Sequence, residues 1–433
     1  MIITLMIIIF LLGYLAIALE HSIKVDKAAS ALIIGGLGWA LFSFSGVSHH
    51  TLTHEIQHHI VDIAEILFFL LGAMTIVELI DGHQGFSIIT DKITTNKKIY
   101  LIWILSIITF FFSAVLDNLT TAIVMAALLP KIIKDKETLW LFAGTLIIVA
   151  NAGGAWSPIG DVTTIMLWIG GQVSASNIIT AIIIPSIICA IVPLIYLTFK
   201  LKGDITRPTN SVLPEHKKNP TTKFERNLIF YLGVCGLLFV PIFKTVTHLP
   251  PYVGMLLSLG ILWLVTEIVH RSKNHEVKSQ FSVIGVLKKI DTATIFFFLG
   301  ILLAVASLQS AGQLDIVARY LETSFDGQTI KGTYVINVII GLLSAIVDNV
   351  PLVAGAMGMY PIAETGLYAI DGMFWEFLAY CAGTGGSVLI IGSAAGVAIM
   401  GILKIDFIWY LKNISLLALI GYLSGAVTYI IMQ

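Results

Sequence analysis

Apolar residues fall along the chain in blocks of about twenty, the length at which a helix spans a bilayer. The blocks predict membrane spans over about 3–20, 28–46, 60–80, 99–134, 138–170, 177–199, 227–243, 251–270, 290–308, 333–362, 373–403 and 406–431. Four of them (99–134, 138–170, 333–362 and 373–403) are too long for one ordinary crossing and carry polar residues or glycines near the middle. Backbone leaves a helix at membrane depth only where protein or a wet cavity satisfies it. The pattern therefore predicts hairpins at 99–134 and 333–362, and broken helices at 138–170 and 373–403. Each hairpin returns the chain to its side of entry, whether it is re-entrant or crosses fully.

The polar positions inside these blocks repeat. Ser113-Ala114-Val115-Leu116-Asp117-Asn118 recurs as Ser344-Ala345-Ile346-Val347-Asp348-Asn349, 231 positions later. The apolar run ending at Gly72 resembles the run ending at Gly300, and Gly153-Gly154 with Gly160 matches Gly385-Gly386 with Gly392. Two repeats follow, 28–200 and 251–433. An extra span and short loop precede them at 1–27, and a linker with a connecting span lies at 201–250. That single connecting span starts the second repeat from the other face. The expected fold is an all-α polytopic membrane protein of two inverted-topology repeats, each with a hairpin and a broken transmembrane helix, a construction common among secondary transporters.

Composition agrees: 57% of residues are hydrophobic and 12% charged, against roughly 45–50% and 25% in soluble domains. All basic residues except Lys244, Arg319, Lys331 and Lys412 then fall on one set of loops, 21 of the 25. By the positive-inside rule those loops are cytoplasmic and both termini lie outside. The net charge of −1 says nothing about partners, because the charges sit in loops; the partners expected are the lipid bilayer and small cations, with no nucleic acid. Cys189, Cys235 and Cys381 are scattered, which excludes a disulfide framework or structural zinc site. The N-terminus lacks a signal-peptide pattern, so its first apolar run is expected to be retained. The stretch Ser45–His59, with His49, His50, His54, His58 and His59, reads as an exterior loop whose imidazoles form a solvated, weakly metal-binding surface.

An ionised carboxylate inside the membrane costs several kcal/mol unless something compensates it, so Asp117 and Asp348 mark a site. The segment Asn151-Ala152-Gly153-Gly154-Ala155-Trp156-Ser157-Pro158-Ile159-Gly160-Asp161-Val162-Thr163-Thr164 supplies further oxygens around a predicted break, since glycine and proline disfavour helix. Gly383-Thr384-Gly385-Gly386-Ser387 and Gly392-Ser393 are its counterpart. Freed backbone around Gly153, Gly154, Gly385 and Gly386 is expected to line the site. Glu65, midway along the third span, is either a pairing partner or part of a proton path. Oxygen-only ligands suit a hard cation such as Na⁺ or Li⁺, with Na⁺ expected at Asp117, Asn118, Asp161, Asp348 and Asn349. A carboxylate that alternates between a cation and a proton never stands bare in a low dielectric, which is the basis of an exchanger.

These motifs resemble the NhaD-type sodium/proton antiporters of the ion transporter superfamily, a group related more distantly to Na⁺-coupled dicarboxylate transporters and arsenite permeases. The resemblance covers nearly the whole chain. It implies a bacterial inner-membrane antiporter, not an enzyme, exporting Na⁺ or Li⁺ in exchange for H⁺ with no cofactor beyond the transported ions. It maps functional polar residues onto Asp117, Asn118, Asn151, Asp161, Thr163, Thr164, Ser344, Asp348, Asn349, Thr384 and Ser387, with Thr384 where many relatives carry serine. It also implies a mobile transport domain of hairpins and broken helices, beside a scaffold through which a homodimer forms. A carboxylate or arsenite transporter is the alternative, and an aspartate at both hairpins repels an anion. An intramembrane aspartyl protease built on Asp117 and Asp348 is more remote, because its YD and GxGD motifs are missing.

Overall fold

The computed structural model describes residues 2–18, 20–90, 93–207, 221–274, 281–346 and 348–433. Much of the expected linker, and the basic residues Lys92, Lys217, Lys218 and Lys278, lie outside the described residues. Among the described residues, eight helices are long and apolar enough to cross a membrane. The protein is an all-α polytopic membrane protein.

The opening helices are α1 (Ile2–Ala18), α2 (Lys27–Ser43) and α3 (His49–Gly82). The first long apolar run divides into α4 (Lys98–Leu116) and α5 (Asn118–Ile132), and the next into α6 (Lys136–Ala155) and α7 (Val162–Ile169). Then come α8 (Ala175–Lys200), α9 (Lys223–Thr247), α10 (Pro251–Val269) and α11 (Thr292–Ser310), followed by α12 (Gln313–Phe325). The second divided runs are α13 (Ile330–Leu343) with α14 (Asn349–Met359), and α15 (Met373–Gly385) with α16 (Ala394–Leu403). The chain closes with α17 (Phe407–Asn413) and α18 (Ser415–Met432).

The two divided pairs α4–α5 and α13–α14 return to the ends they came from. The Lys98 and Lys134 N–H groups donate to Gly203 O (3.2 Å) and Thr206 O (2.9 Å), so both feet of the first pair stand beside the segment leaving α8. The feet of the second pair meet through Tyr368, which stacks on Tyr360 and donates to Gly327 O at 3.0 Å. That cluster lies at the other end of α8, where the Asp371 N–H donates to Gln172 O at 2.9 Å. A helix of 26 residues separates the two ends by about 39 Å.

Two groups of helices pack within themselves. In the first, α2 lies against α11 and α1, and α10 against α3 and α9. Gly35 and Gly300 bring α2 and α11 into backbone contact, since a Cβ at Gly35 would sit 2.6 Å from Gly300 O. Small residues serve this purpose in membranes, where lipid competes equally for apolar side chains. In the second group α4, α5 and α8 pack on α6, while α13 packs on α15 and α8 on α18.

Three elements differ from the sequence expectation. The histidine-rich segment is helical, forming the first turns of α3, with Ser48 accepting from the Thr51 N–H at 3.1 Å. Those 34 residues run for about 51 Å, beyond a hydrocarbon core of roughly 30 Å, so polar turns project past the apolar part. α12 was expected as loop; it exposes Ile316, Val317 and Tyr320 and buries Ala318, a two-sided pattern too polar to read as a span. The last span begins with the separate two-turn helix α17.

Just past the ends of α3 and α10, two buried imidazoles meet. His83 Nδ1 lies 2.7 Å from Leu79 O and therefore carries its proton, so His83 Nε2 accepts from His270 Nε2–H at 2.8 Å. Burial pushes His83 below its ordinary pKa, and burial with the Lys273 charge pushes His270 down to about 4. Unfolded histidines take up protons near pH 6.5. The neutral pair thus stabilises the fold fully above about pH 6.5, and that contribution is lost as pH falls, for His270 through about 4, by at most about 1.4 kcal/mol per pH unit for each ring. The melting temperature in detergent should fall across this window, and less steeply in a His83→Gln/His270→Gln variant. Equal slopes would assign the acid limit to other groups.

Candidate cation site

Each divided run breaks at a residue whose side chain caps the helix that follows. Asp117 ends α4 and caps α5, accepting from Thr120 N–H (2.7 Å) and Thr120 Oγ1–H (2.9 Å). It holds φ +83°, a conformation that non-glycine residues adopt at a cost of about 1–3 kcal/mol and mostly at functional sites. Asp348 caps α14 and Asp161 caps α7. At the fourth break the cap is Ser393, at the head of α16. Carboxylates suit these positions because the first turn of a helix presents unpaired N–H groups and a partial positive charge.

Asp161 is the centre. It is 1% exposed and its carboxylate accepts from four donors. Thr163 gives its N–H (2.9 Å) and hydroxyl (2.7 Å) to Oδ1. Asn118 donates to Oδ2 at 2.6 Å from the tip of the first hairpin, and Asn349 to Oδ1 at 3.3 Å from the tip of the second. Asn151 extends the network: its Oδ1 accepts from Asn118 at 3.0 Å, and its Nδ2 donates to Ser387 Oγ and Ser393 Oγ, both at 2.9 Å. The structure thus brings together Asn118, Asn151, Asp161, Thr163, Asn349 and Ser387 of the sequence candidates. Ser393, quoted in the motif but not counted as a ligand, joins them.

Other candidates sit beside the cage with their hydrogens committed elsewhere. Ser344 donates to Ala382 O at 2.8 Å, as its counterpart Ser113 does to Ala150 O at 2.5 Å. Both hydroxyls tie a hairpin to the carbonyls of a broken helix, the pairing that unwound backbone in lipid requires. Thr384 donates back to Tyr380 O at 2.6 Å and Thr164 to Ala155 O at 3.4 Å. Ser157 and Tyr410 serve similarly, donating to Ala114 O (2.5 Å) and Ser387 O (2.7 Å).

The four glycines expected to line the site permit backbone-to-backbone packing. A Cβ at Gly153 would collide with Phe110 O, and one at Gly385 with Gly341 O. Gly154 and Gly386 hold the broken segment against itself; a Cβ at Gly386 would sit 2.6 Å from Gly392 O. Gly153, Gly154 and Gly385 still lie in the last turn of their helices, and the breaks fall just after them.

Two cavities flank the site. One of about 530 Å³ is lined by Glu20, Lys24, Lys27, Asp348 and Met400, so it reaches a site carboxylate directly. The other, about 320 Å³, lies between α3 and α11 on one side and α7 and α14 on the other, with Glu65 in its wall. His58, His59 and Asp62 stand at its rim, with ligand atoms within 4.8 Å of one another. The first cavity also reveals a residue that sequence reasoning missed: Lys27 Nζ lies 2.9 Å from Asp348 Oδ2. Its charge at the head of an apolar run carried no sign of a partner 321 positions away.

Helices broken at buried carboxylates and amides, inside a multi-span bundle, define a membrane carrier for a small ion. The comparisons make the class specific. The citrate transporter (CitMHS) family pattern fits residues 5–377. The chain is 44% identical over 427 residues to sodium/proton antiporter 1 of Arabidopsis thaliana, covering 98% of this chain and 72% of that one. It is 42% identical to sodium/proton antiporter 2 of the same plant, covering 98% of both chains. It is 30% identical to the Na⁺/H⁺ antiporter NhaD of Vibrio parahaemolyticus, over 92% of this chain and 97% of that protein. The chain belongs to the family of NhaD-type sodium/proton antiporters.

The glycine contacts give a direct test of the site's construction. Gly385→Ala should destabilise the protein by at least the 1–3 kcal/mol typical of overpacking, about as much as a core defect. Gly260→Ala, where a Cβ meets nothing within 4 Å, should leave stability unchanged. Thermal unfolding of the two purified variants would check this; equal melting temperatures would refute the packing role.

Proposed function

We propose that the protein is a secondary active antiporter exchanging Na⁺, or Li⁺, for H⁺ at the cage around Asp161. The observation that carries this reading is the convergence of two asparagine amides, one from each hairpin tip, on a single buried carboxylate. An amide is a donor on one side and an acceptor on the other. With no cation present, Asn118 and Asn349 donate and satisfy Asp161. Rotated by half a turn, the same side chains present Oδ1 to a cation beside the carboxylate, with Asn151 Oδ1 and the Thr163 hydroxyl as further oxygen ligands. Proton and cation therefore compete for one group, and neither form leaves a bare charge at depth.

The approach of the hairpins from opposite ends of α8 supports the inverted-repeat reading. Asp117, on the first hairpin tip, would set the negative field that draws a cation in, while Asp348 on the second is paired with Lys27. Carboxylates at both tips disfavour an anionic substrate in spite of the citrate name attached to the broader family. The bacterial relatives support an inner-membrane location, and the distribution of basic residues supports placing the basic loops in the cytoplasm.

The test is a proteoliposome assay with a pH-sensitive dye, scanned over Na⁺, Li⁺, K⁺ and pH. A Na⁺ pulse should move protons in the opposite direction, and Asp161→Asn should abolish the signal while the protein remains folded. Apparent Na⁺ affinity should fall as pH drops through the site's titration, by up to about tenfold per pH unit for one shared proton. An affinity flat with pH, or exchange persisting in Asp161→Asn, would overturn the reading.

A further inference from the structure

The two hairpin-tip aspartates are alike in sequence and differ in their partners. Asp117 accepts from Thr120 of its own hairpin. Asp348 receives the Lys27 ammonium from α2, a helix of the other packed group, at 2.9 Å. The pair is largely shielded, with side chains 19% and 11% exposed, so its attraction exceeds that of a surface ion pair. Lys27 is held from three directions. Its nitrogen stands 4.3 Å from the centre of the Phe297 ring on α11. Its backbone N–H donates to Glu20 Oε1 at 3.2 Å, and Asp26 caps its helix. α2 itself is fixed on α11 by the Gly35–Gly300 contact. The other charged groups around it are Lys24 and Asp291, and Tyr14 of α1 faces the same carboxylate with a buried hydroxyl that has no partner among the described residues.

An ammonium on Asp348 neutralises that carboxylate as an arriving cation would, and both cannot sit there together. We propose that Lys27 is a tethered competitor: it occupies Asp348 whenever the transported cation is absent, and the cation must displace it to bind at that tip. This rests on the antiport reading and adds to it a residue outside the hairpins that sets apparent cation affinity. It also gives the cycle a state in which the second tip is neutral without borrowing a proton. The 530 Å³ cavity beside the pair provides the room into which the displaced side chain can swing.

The experiment measures the Na⁺ concentration for half-maximal exchange in proteoliposomes of the full chain, for the unmutated protein, Lys27→Gln and Lys27→Arg. Removing the competitor should lower that concentration by about five- to tenfold, the effect of losing a partly shielded ion pair. The arginine variant, which keeps the charge, should stay near the unmutated value. A second measurement needs no variant: labelling of Lys27 by a succinimidyl ester, quantified by mass spectrometry, should rise with saturating Na⁺ and not with choline. A folded Lys27→Gln protein with unchanged Na⁺ dependence would make the pair purely structural and overturn the proposal. So would labelling indifferent to Na⁺, and that result decides the matter if Lys27→Gln does not fold. Unmutated protein that exchanges no Na⁺ would instead bring down the antiport reading, and this proposal with it.

Discussion

The structure depends on the need to keep one carboxylate satisfied in a medium that does not solvate it. Asp161 is buried, and leaving its charge unpaired at that depth would cost several kcal/mol. Four donors from three chain segments meet the demand. Much of the surrounding architecture follows. α6 and α7 must part so that Asp161 can cap a new helix, and both hairpins must turn within reach of it. The backbone freed by those breaks must then find hydroxyls, which Ser113, Ser157, Ser344 and Tyr410 provide.

Much of this was legible in the sequence because lipid enforces simple rules. An aspartate in the middle of an apolar run has few explanations, and two in the same six-residue setting have fewer. Gly153, Gly154, Pro158 and Gly160 announced a break that falls where expected, between Ala155 and Val162. The network of Asn118, Asn151, Asp161 and Asn349 was recoverable from residue type alone. Contacts that sequence periodicity does not encode were hidden. Lys27 read as one more loop charge, since nothing local distinguishes an ammonium that faces water from one that faces Asp348. That the Ser344 and Thr384 hydroxyls donate to backbone carbonyls was hidden too, because a hydroxyl's residue type does not say where its hydrogen goes. α12 was missed because one apolar face on a polar helix is weaker than a span and resembles a loop.

Matching backbone contacts occur in both halves of the chain, while the chemistry at the matching positions differs. Ser113 and Ser344 make equivalent bonds, and Gly153 and Gly385 sit on equivalent carbonyl neighbours. Yet the broken helix of the first half is capped by Asp161 and that of the second by Ser393. One hairpin tip sits in a strained conformation within its own helix, and the other is bound by Lys27. Packing constrains both halves equally, because a glycine lost at one of these backbone contacts is a collision in either half. Charge is not so constrained: a second buried acid opposite Asp161 would have needed a compensating partner of its own.

The glycine contacts have a mechanical meaning. Where carbonyl meets Cα with no side chain between, as at Gly153 on Phe110 and Gly385 on Gly341, there is no rotamer to flip and no cushion to compress. Such a joint transmits displacement without slack. Each hairpin and the broken helix behind it therefore form a single stiff part, and the compliance of the molecule lies where side chains separate one packed group of helices from the other. Asn118 and Asp161 belong to one such part and Asn349 to the other, so the amide–carboxylate cage closes across the seam between two stiff bodies.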